Sequence, residues 1–385
     1  MTETNVARDI HSQFAENSTG GDLLNARKVE NKIGLCLSGG GYRATIYHLG
    51  ALIRLNELGY LARISEVASV SGGSITAGLL ALRWKDLDFD TSGHAKNFHQ
   101  EVVVPLLSFV GIGIDLRAIL YSFLPGCTAA DSIAYSYDRY LFNGASLQDL
   151  SDTPRFTFMA TNLQTGSGWR FSKGYAADYR VGIIEKPDLA LSRVVAASSA
   201  FPPLLSPVTI DFTGQRVKAT VGADLHRPPY TEHAVLTDGG VYDNLGLERV
   251  WKRCRTILVS DAGKTIPDVG RPGGRWVGQT YRTLSIIQQQ VQNSRQRILF
   301  GMANLGQRNV VYWDIGTAPE QYGIEYPLEL SRDEARHAAD MRTRLNQFSK
   351  SEQQLLIKAG YAGADASLKA RAAIPDAASS YPVVP

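Results

Sequence analysis

Short apolar runs alternate with longer stretches of helical spacing in the first quarter of the chain. Residues 33–37 form an apolar run that stops at a glycine turn, and residues 44–58 then carry apolar side chains at helical spacing. Residues 63–70 repeat the apolar run, and residues 75–84 repeat the helical spacing. Strand, turn and helix in tandem are typical of βα units, whose strands pair in parallel. The pattern therefore predicts an α/β fold with a parallel sheet.

Later apolar segments extend this sheet and add helices. Further strands are predicted at residues 155–161, 234–236 and 256–259, because each segment is apolar and bounded by turn residues or charges. Helical spacing returns at residues 283–299 and 332–358. The sheet is therefore expected to draw its strands from distant parts of the chain.

The domain organisation follows from the distribution of these elements. A length of 385 residues fits two domains or one large α/β domain with insertions. The divisions that we predict are an N-terminal arm (1–30), a catalytic α/β domain (31–265) with a helical insertion at about 86–150, a helical C-terminal extension (266–371) and a flexible tail (372–385).

Composition narrows the class of protein. The chain is 44% hydrophobic and 20% charged, which is ordinary for a globular enzyme. A formal net charge of +3 argues against nucleic acid as the main partner. Cys36, Cys127 and Cys254 are widely spaced, which predicts neither a disulfide framework nor a zinc site. The N-terminus does not resemble a secretory signal, and the longest apolar run is too short to span a bilayer. A cytoplasmic protein, soluble or peripheral at the membrane, is expected.

A serine between small residues follows the second predicted strand. Ser71 precedes a predicted helix, with Ser69 two positions before it and Gly72 and Gly73 after it. A tight turn from strand to helix lifts a serine hydroxyl clear of the sheet, and small neighbours avoid clashes there. Ser71 is therefore the candidate nucleophile. The same residues also fit an ordinary βα turn.

The glycine turn after the first strand offers backbone N–H groups at the start of a helix. Such groups stabilise the oxyanion of acyl transfer, and the helix dipole adds to the effect. The turn also fits the dinucleotide-binding fingerprint, since Gly39, Gly41 and Ala44 have its spacing. That fingerprint requires an acidic residue at the end of the next strand, where Ser71 stands instead. A nucleotide-binding regulatory protein is thus the alternative function.

A serine hydroxyl needs a base to remove its proton. Asp238 is the leading candidate, because a short apolar strand leads directly into the turn formed with Gly239 and Gly240. An Asp-Gly-Gly sequence alone is more often only a turn. The lesser candidates for the base are Asp211, Asp243 and Asp261.

A histidine base is the mechanistic alternative. His337 follows the serine and the aspartate in the order found in α/β hydrolases, but it lies on a charged helical face. His48, His226 and His233 fit surface or packing positions better. We therefore do not predict a catalytic histidine. No metal-binding pattern is visible, so neither a metal nor another cofactor is predicted.

These motifs together resemble the patatin-like phospholipase family. The residues that carry the resemblance are Ser38-Gly39-Gly40-Gly41-Tyr42-Arg43, Ser71-Gly72-Gly73, Asp238-Gly239-Gly240, Asp243-Asn244 and the block 195–203, which is similar to the family's A-S-x-A-x-P segment. The resemblance spans about residues 33–262. Ser69 replaces a glycine of the family pattern, and Ser38 replaces an aspartate of its plant-like members. The glycine turn is also similar to that of cytosolic phospholipase A2 enzymes.

The resemblance implies a fold, an activity and a set of roles. It implies a three-layer α/β/α fold with a mostly parallel central sheet, and a lipid acyl hydrolase of the phospholipase A or lysophospholipase type. Ser71 and Asp238 would form a dyad without histidine. The turn of Gly39, Gly40 and Gly41 would hold the oxyanion, with Arg43 as a structural or anion-stabilising neighbour.

The expected partners follow from this activity. The main one is a phospholipid membrane, bound peripherally at its inner face. The apolar residues 102–124, with Arg117 among them, are interpreted as a lid or interfacial anchor, a buried core segment or an oligomer contact. Resemblance to bacterial patatin-like enzymes of antiviral signalling adds a small-molecule activator, such as a cyclic nucleotide, as a further hypothesis.

Overall fold

A computed structural model describes Leu24 and residues 29–114, 128–203, 205–263, 266, 268–325, 327–372 and 381–382. The strands are β1 (Glu30–Leu37), β2 (Ile64–Val70), β3 (Arg155–Asn162), β4 (Gly168–Phe171), β5 (Tyr175–Asp178), β6 (Gly182–Glu185), β7 (Val208–Asp211), β8 (His233–Asp238), β9 (Cys254–Asp261) and β10 (Asn309–Asp314). The α-helices are α1 (Gly41–Glu57), α2 (Gly72–Arg83), α3 (Val104–Val110), α4 (Ala129–Tyr137), α5 (Leu191–Ser198), α6 (Gly240–Asp243), α7 (Leu247–Val250), α8 (Trp276–Asn304), α9 (Arg332–Asp340) and α10 (Lys350–Ala372).

A single mixed sheet organises the chain. Its order is β10-β9-β1-β2-β3-β4-β5-β6, and β8 pairs with β3 and β7. The five strands from β10 to β3 are parallel, and the remaining pairs are antiparallel. The predicted α/β fold with a mostly parallel central sheet is confirmed.

Both faces of the parallel strands are covered by helices. In β1, Leu35 and Leu37 belong to a core cluster with residues of α1, α2 and α10. Cys36 points the other way, into a second cluster with α7 and the last turns of α8. This alternation follows from the period of two in a strand. The result is the predicted three-layer arrangement, in which parallel strands are buried on both sides.

The ends of two strands meet along one edge of β3. Val70, the last residue of β2, pairs with Met159 of β3, and Asp238, the last residue of β8, pairs with Ala160. The other edge of β3 is taken by β4. The carboxyl ends of β2 and β8 therefore face each other on the shared edge, which brings Ser71 next to Asp238.

The predicted helical C-terminal extension is present, and it also contributes a strand to the central sheet. β10 lies at the edge of the central sheet, parallel to β9, and α10 packs along α1. The predicted helical segment at residues 332–358 is divided between two helices, since α9 ends at Asp340 and α10 begins at Lys350. Arg43 donates hydrogen bonds to the carbonyl groups of Ala339 and Met341, where α9 ends.

Two other expectations concern exposure and flexibility. In the described part of the 102–124 segment, the apolar side chains Val102, Val103, Leu106, Leu107 and Phe109 are buried, which fits a core segment and not a lipid-facing lid. Arg117 and residues 115–124 lie outside the described residues. In the predicted flexible tail, the hydroxyl of Tyr381 donates to the carbonyl of Glu329 at 2.6 Å.

A buried ion pair joins α10 to α1. Arg54 Nη2 lies 2.7 Å from Asp365 Oδ1, and the two side chains are only 2% and 1% exposed. Arg54 also pairs with Glu57, which is 34% exposed, so Asp365→Ala would leave the buried guanidinium with only this partly exposed partner. We expect Asp365→Ala to lower the free energy of unfolding by about 3 kcal/mol in a urea titration. The control is Asp333→Ala, which removes one partner of an exposed ion pair with Arg336. It should change the free energy of unfolding little.

Candidate active site

Ser71 occupies a strained turn between β2 and α2. Its backbone angles are φ 53° and ψ −123°, a conformation that residues with a side chain rarely adopt. Strain of this kind persists where the surrounding structure enforces it, and it is typical of functional turns. The side chain is 7% exposed and lines a cleft of about 1690 Å³. The predicted tight turn from strand to helix, termed the elbow, therefore presents a serine hydroxyl to an accessible cavity.

Buried serines form a hydrogen-bond network with the backbone of the elbow. The N–H of Ser71 donates to Ser198 Oγ at 3.1 Å, and Ser198 Oγ donates to the carbonyl of Met159 at 2.7 Å. Ser74 Oγ lies 2.8 Å from Ser198 Oγ and donates to Ser69 Oγ at 3.0 Å. Ser69 therefore contributes a hydroxyl to this network. Ser198 lies in the 195–203 block that carries the resemblance, but its position beneath the nucleophile was not predicted.

The network under the elbow gives a positioning role to Ser198. Ser198→Ala would leave the buried N–H of Ser71 without an acceptor, which costs about 1–3 kcal/mol. We expect kcat for ester hydrolysis to fall about tenfold with KM unchanged. The substitution would change the orientation of the Ser71 hydroxyl but not the residues that line the cleft. Ser192→Ala, near the start of the same helix, is the control. A rise in KM at constant kcat would contradict the positioning role.

The glycine turn lies directly beside the elbow. Gly41 has φ +57°, and a Cβ at this position would lie 1.4 Å from the carbonyl oxygen of Thr343. A Cβ on Gly72 would lie 2.0 Å from the carbonyl oxygen of Gly41. Thr45 Oγ1 donates to the carbonyl of Gly72 at 2.9 Å and ties the two turns together. Only glycine fits at either position, because both turns pack backbone against backbone.

The N–H groups of the glycine turn are not equivalent. That of Gly39 donates to the carbonyl of Asn244 at 3.0 Å, so the prediction of Gly39 as an oxyanion donor is corrected. Within the described residues, the N–H groups of Gly40 and Gly41 have no acceptor, and both residues line the cleft at the start of α1. These two groups remain available to an anionic oxygen, and the helix dipole favours one there.

Arg43 makes the contacts of a structural cross-link. Its guanidinium donates to the carbonyl groups of Ala262, Ala339 and Met341 at 2.5–3.1 Å. Burial lowers the pKa of Arg43 to about 10, so it stays protonated at neutral pH. Of the two roles that the resemblance allows, the contacts fit the structural one, since the guanidinium is bonded to the segments that flank the glycine turn.

Asp238 is a buried carboxyl at the end of β8. The N–H of Gly240 donates to its Oδ1 at 2.7 Å, and within the described residues its Oδ2 accepts no hydrogen bond. Burial raises the pKa of Asp238 to about 6, and the Gly240 N–H and the nearby Ser71 hydroxyl oppose this rise. The free oxygen of a carboxylate with a raised pKa suits a general base. Gly239 and Gly240 supply the turn that follows it.

The lesser aspartates have other partners. Asp243 accepts the N–H groups of Leu245 and Glu248, and Asp211 is exposed and accepts the Thr213 hydroxyl. Asp261 accepts the hydroxyl of Tyr312 at 2.6 Å. The oxygens of each are therefore engaged by groups other than Ser71.

The histidines that were considered as bases also have other roles. His48 bridges Ser260 Oγ at 2.8 Å and the carbonyl of Ser38 at 2.9 Å beneath the glycine turn. Burial lowers its pKa to about 4, so it is neutral at pH 7. His337 is exposed on α9, and no histidine lines the described cleft. Among the described residues, no group of three or more His, Cys, Asp or Glu is arranged to hold a metal ion.

The long helix α8 forms one wall of the cleft. Gln288 Nε2 donates to the carbonyl of Gly240 at 3.1 Å, and Gln292 Nε2 donates to Asp261 Oδ2 at 2.9 Å. Both side chains therefore bind the domain that carries Ser71 and Asp238. No pattern in the sequence shows that this helix folds back over the turn after Asp238.

Comparison with known proteins identifies the family. A sequence model described as patatin-like phospholipase matches residues 35–251, more than half of the chain. The chain belongs to the patatin-like phospholipase family. The predicted resemblance is confirmed, and the match includes the glycine turn, the elbow, the Asp-Gly-Gly turn and the 195–203 block. The matching model is that of the family from which the lipid acyl hydrolase activity was predicted.

Solved structures similar to this patatin-like chain include a human phospholipase and a bacterial protein. Human GIVD cytosolic phospholipase A2 is 13% identical with a TM-score of 0.49, and the match covers 96% of this chain and 64% of the human one. VipD from Legionella pneumophila is 14% identical with a TM-score of 0.36, and that match covers 89% of this chain and 67% of VipD. This chain thus spans less than two thirds of the human protein. A search of curated proteins gives no match.

Proposed function

We propose that this patatin-like protein hydrolyses the acyl esters of phospholipids or lysophospholipids, with Ser71 as nucleophile and Asp238 as base. The observation that carries the proposal is the meeting of β2 and β8. Their ends bring a strained serine to a buried carboxyl whose Oδ2 has no other hydrogen bond among the described residues. A serine becomes a nucleophile when an adjacent base takes its proton.

The proposed reaction has two steps. Asp238 Oδ2 takes the proton from Ser71 Oγ, which attacks the ester carbonyl. The oxyanion that forms accepts hydrogen bonds from the N–H groups of Gly40 and Gly41. When the ester bond breaks, the leaving alcohol receives the proton from Asp238, and the acyl group stays on Ser71. Water, deprotonated by Asp238, then attacks this acyl-enzyme. Asp238 returns the proton to Ser71 Oγ as the acyl bond breaks, and a fatty acid is released.

The shape and lining of the cleft support a lipid substrate. A volume of about 1690 Å³ exceeds that of most small-molecule sites and accommodates an acyl chain. Apolar side chains from distant segments line it, among them Phe201, Leu205, Ile286 and Leu345. A fatty acyl chain would bury its surface against these residues while its ester lies at Ser71.

Product analysis tests this function. The protein is incubated with vesicles of phosphatidylcholine, with lysophosphatidylcholine and with a short p-nitrophenyl ester. We expect free fatty acid and a deacylated phospholipid from the lipids, and p-nitrophenol from the ester. Release of the head group without fatty acid, or no product from any substrate with folded protein, would overturn the proposal.

Two hypotheses on regulation rest on the family resemblance alone and remain proposals. One is activation by a small molecule such as a cyclic nucleotide, and the other is a role in antiviral defence. A panel of cyclic nucleotides added to the phosphatidylcholine assay tests the first. An increase in fatty acid release by one member supports it, and no binding by any member removes it.

A further inference from the structure

One face of α8 is apolar and exposed. Trp276, Val277, Leu284 and Ile287 are 78%, 59%, 57% and 55% exposed. Spacings of three and four residues place side chains on the same side of a helix, so Trp276, Leu284 and Ile287 form one stripe. None of the four lines the cleft. A contiguous apolar patch of this kind marks an interaction surface.

The opposite face of the same helix lines the cleft. Gly278, Ser285, Gln289 and Gln292 belong to the cleft wall. These positions lie about half a turn away from the apolar stripe at 3.6 residues per turn. Thr283, which lies on the side of the apolar stripe, also lines the cleft, so a surface that binds the stripe is brought to the cleft.

The charge on this segment has one sign. From residue 271 to residue 304 the chain contains five arginines, Arg271, Arg275, Arg282, Arg295 and Arg297, and no aspartate, glutamate or lysine. Arg295 forms ion pairs with Asp243 and Glu248 of the catalytic domain. Arg271, Arg275 and Arg297 are exposed. An apolar helix face flanked by exposed arginines is complementary to an anionic lipid surface.

We propose that the outward face of α8, defined by Trp276, Val277, Leu284 and Ile287, docks on membranes that contain anionic phospholipid. The proposal rests on the proposed function, because it brings the cleft to the lipid that would supply the substrate. A second copy of this chain fits the surface less well. In a symmetric dimer the same arginine-rich segment would face itself without acidic partners.

Vesicle binding tests the docking surface directly. Ser71→Ala protein is sedimented with vesicles of phosphatidylcholine alone or of equal parts phosphatidylcholine and phosphatidylglycerol, so that hydrolysis does not alter the vesicles. Adding Leu284→Ser and Ile287→Ser is expected to weaken binding at least about tenfold, because two apolar side chains no longer insert. Arg271→Gln with Arg275→Gln is expected to remove the preference for phosphatidylglycerol. Val221→Ser, at an exposed apolar residue elsewhere, is the control.

The outcomes separate this inference from the proposed function. Equal binding by the Leu284→Ser, Ile287→Ser protein and its control would overturn the docking surface. The docking surface would also be overturned if wild-type protein formed a dimer, the variant did not, and both bound vesicles equally. Failure of the proposed function would appear elsewhere, as wild-type protein that binds vesicles through α8 but releases no fatty acid from them or from the soluble ester.

Discussion

Ser71→Ala is expected to lower the rate of ester hydrolysis by about 10⁴-fold or more. The substitution removes the only atom that can carry the acyl group in the proposed mechanism. It leaves the glycine turn and the cleft in place, so the residual rate would come from binding and oxyanion stabilisation alone. The measurement is kcat/KM for a p-nitrophenyl ester and for phosphatidylcholine vesicles.

The matched control for this substitution is Ser108→Ala, which removes an exposed hydroxyl on α3. It should hydrolyse both substrates at the wild-type rate. Folding of both variants is compared by circular dichroism and thermal unfolding. Retention of full activity by folded Ser71→Ala protein would mean that another group is the nucleophile.

Asp238→Asn is expected to lower kcat/KM by about 10³- to 10⁴-fold, because an amide does not accept the serine proton. Since the pKa of Asp238 is about 6, wild-type kcat/KM should rise about tenfold per pH unit below pH 6 and level off above it. The base is active only when ionised, which sets the sign of this dependence. A flat profile between pH 5 and pH 8 would exclude Asp238 as the base.

The same substitution should stabilise the fold at neutral pH. A carboxyl whose folded-state pKa lies above its unfolded value of 3.8 binds more protons when folded, so its contribution to stability falls as pH rises from about 4 to about 6. At pH 7 the ionised Asp238 is therefore destabilising, by an amount on the order of 1–3 kcal/mol. Asp238→Asn removes this cost, so lost activity should be accompanied by a higher unfolding midpoint. A lower midpoint would show that the asparagine variant is misfolded.

The parts of the fold that the sequence predicts are those with local signals. Strands β1 and β2 and the helices that follow them have apolar runs, glycine turns and helical spacing within a few residues of one another. Ser71 and Asp238 are recognisable because each follows such a strand directly and is followed by two glycines. The structure places these two residues together, and their catalytic roles remain predictions.

The parts that the sequence does not predict depend on distant contacts. Where α9 ends at Asp340, the carbonyl groups of Ala339 and Met341 bind Arg43, which is almost 300 positions earlier in the chain. The N–H of Gly39 is unavailable because Asn244 lies against it. Strand β10 is only six residues long and has no alternation of polar and apolar residues, and its place beside β9 is a matter of tertiary packing.

The position of helix α8 likewise depends on contacts that the sequence does not show. Its periodicity predicts a helix at residues 283–299, and the structure extends that helix to Trp276–Asn304. The contact of Gln288 with Gly240 depends on where the helix packs, which spacing alone does not indicate. The exposure of Trp276 and Leu284 likewise becomes visible only in three dimensions.

The most direct test of the central claim is the site of covalent labelling by an alkyl fluorophosphonate, which phosphonylates activated serines. Wild-type protein is labelled, digested and analysed by mass spectrometry, with Asp238→Asn protein treated in parallel. The proposed mechanism predicts one adduct, on Ser71, and at least about a hundredfold slower labelling in the Asp238→Asn variant. An adduct on a different serine, or equal labelling rates in the two proteins, would contradict it.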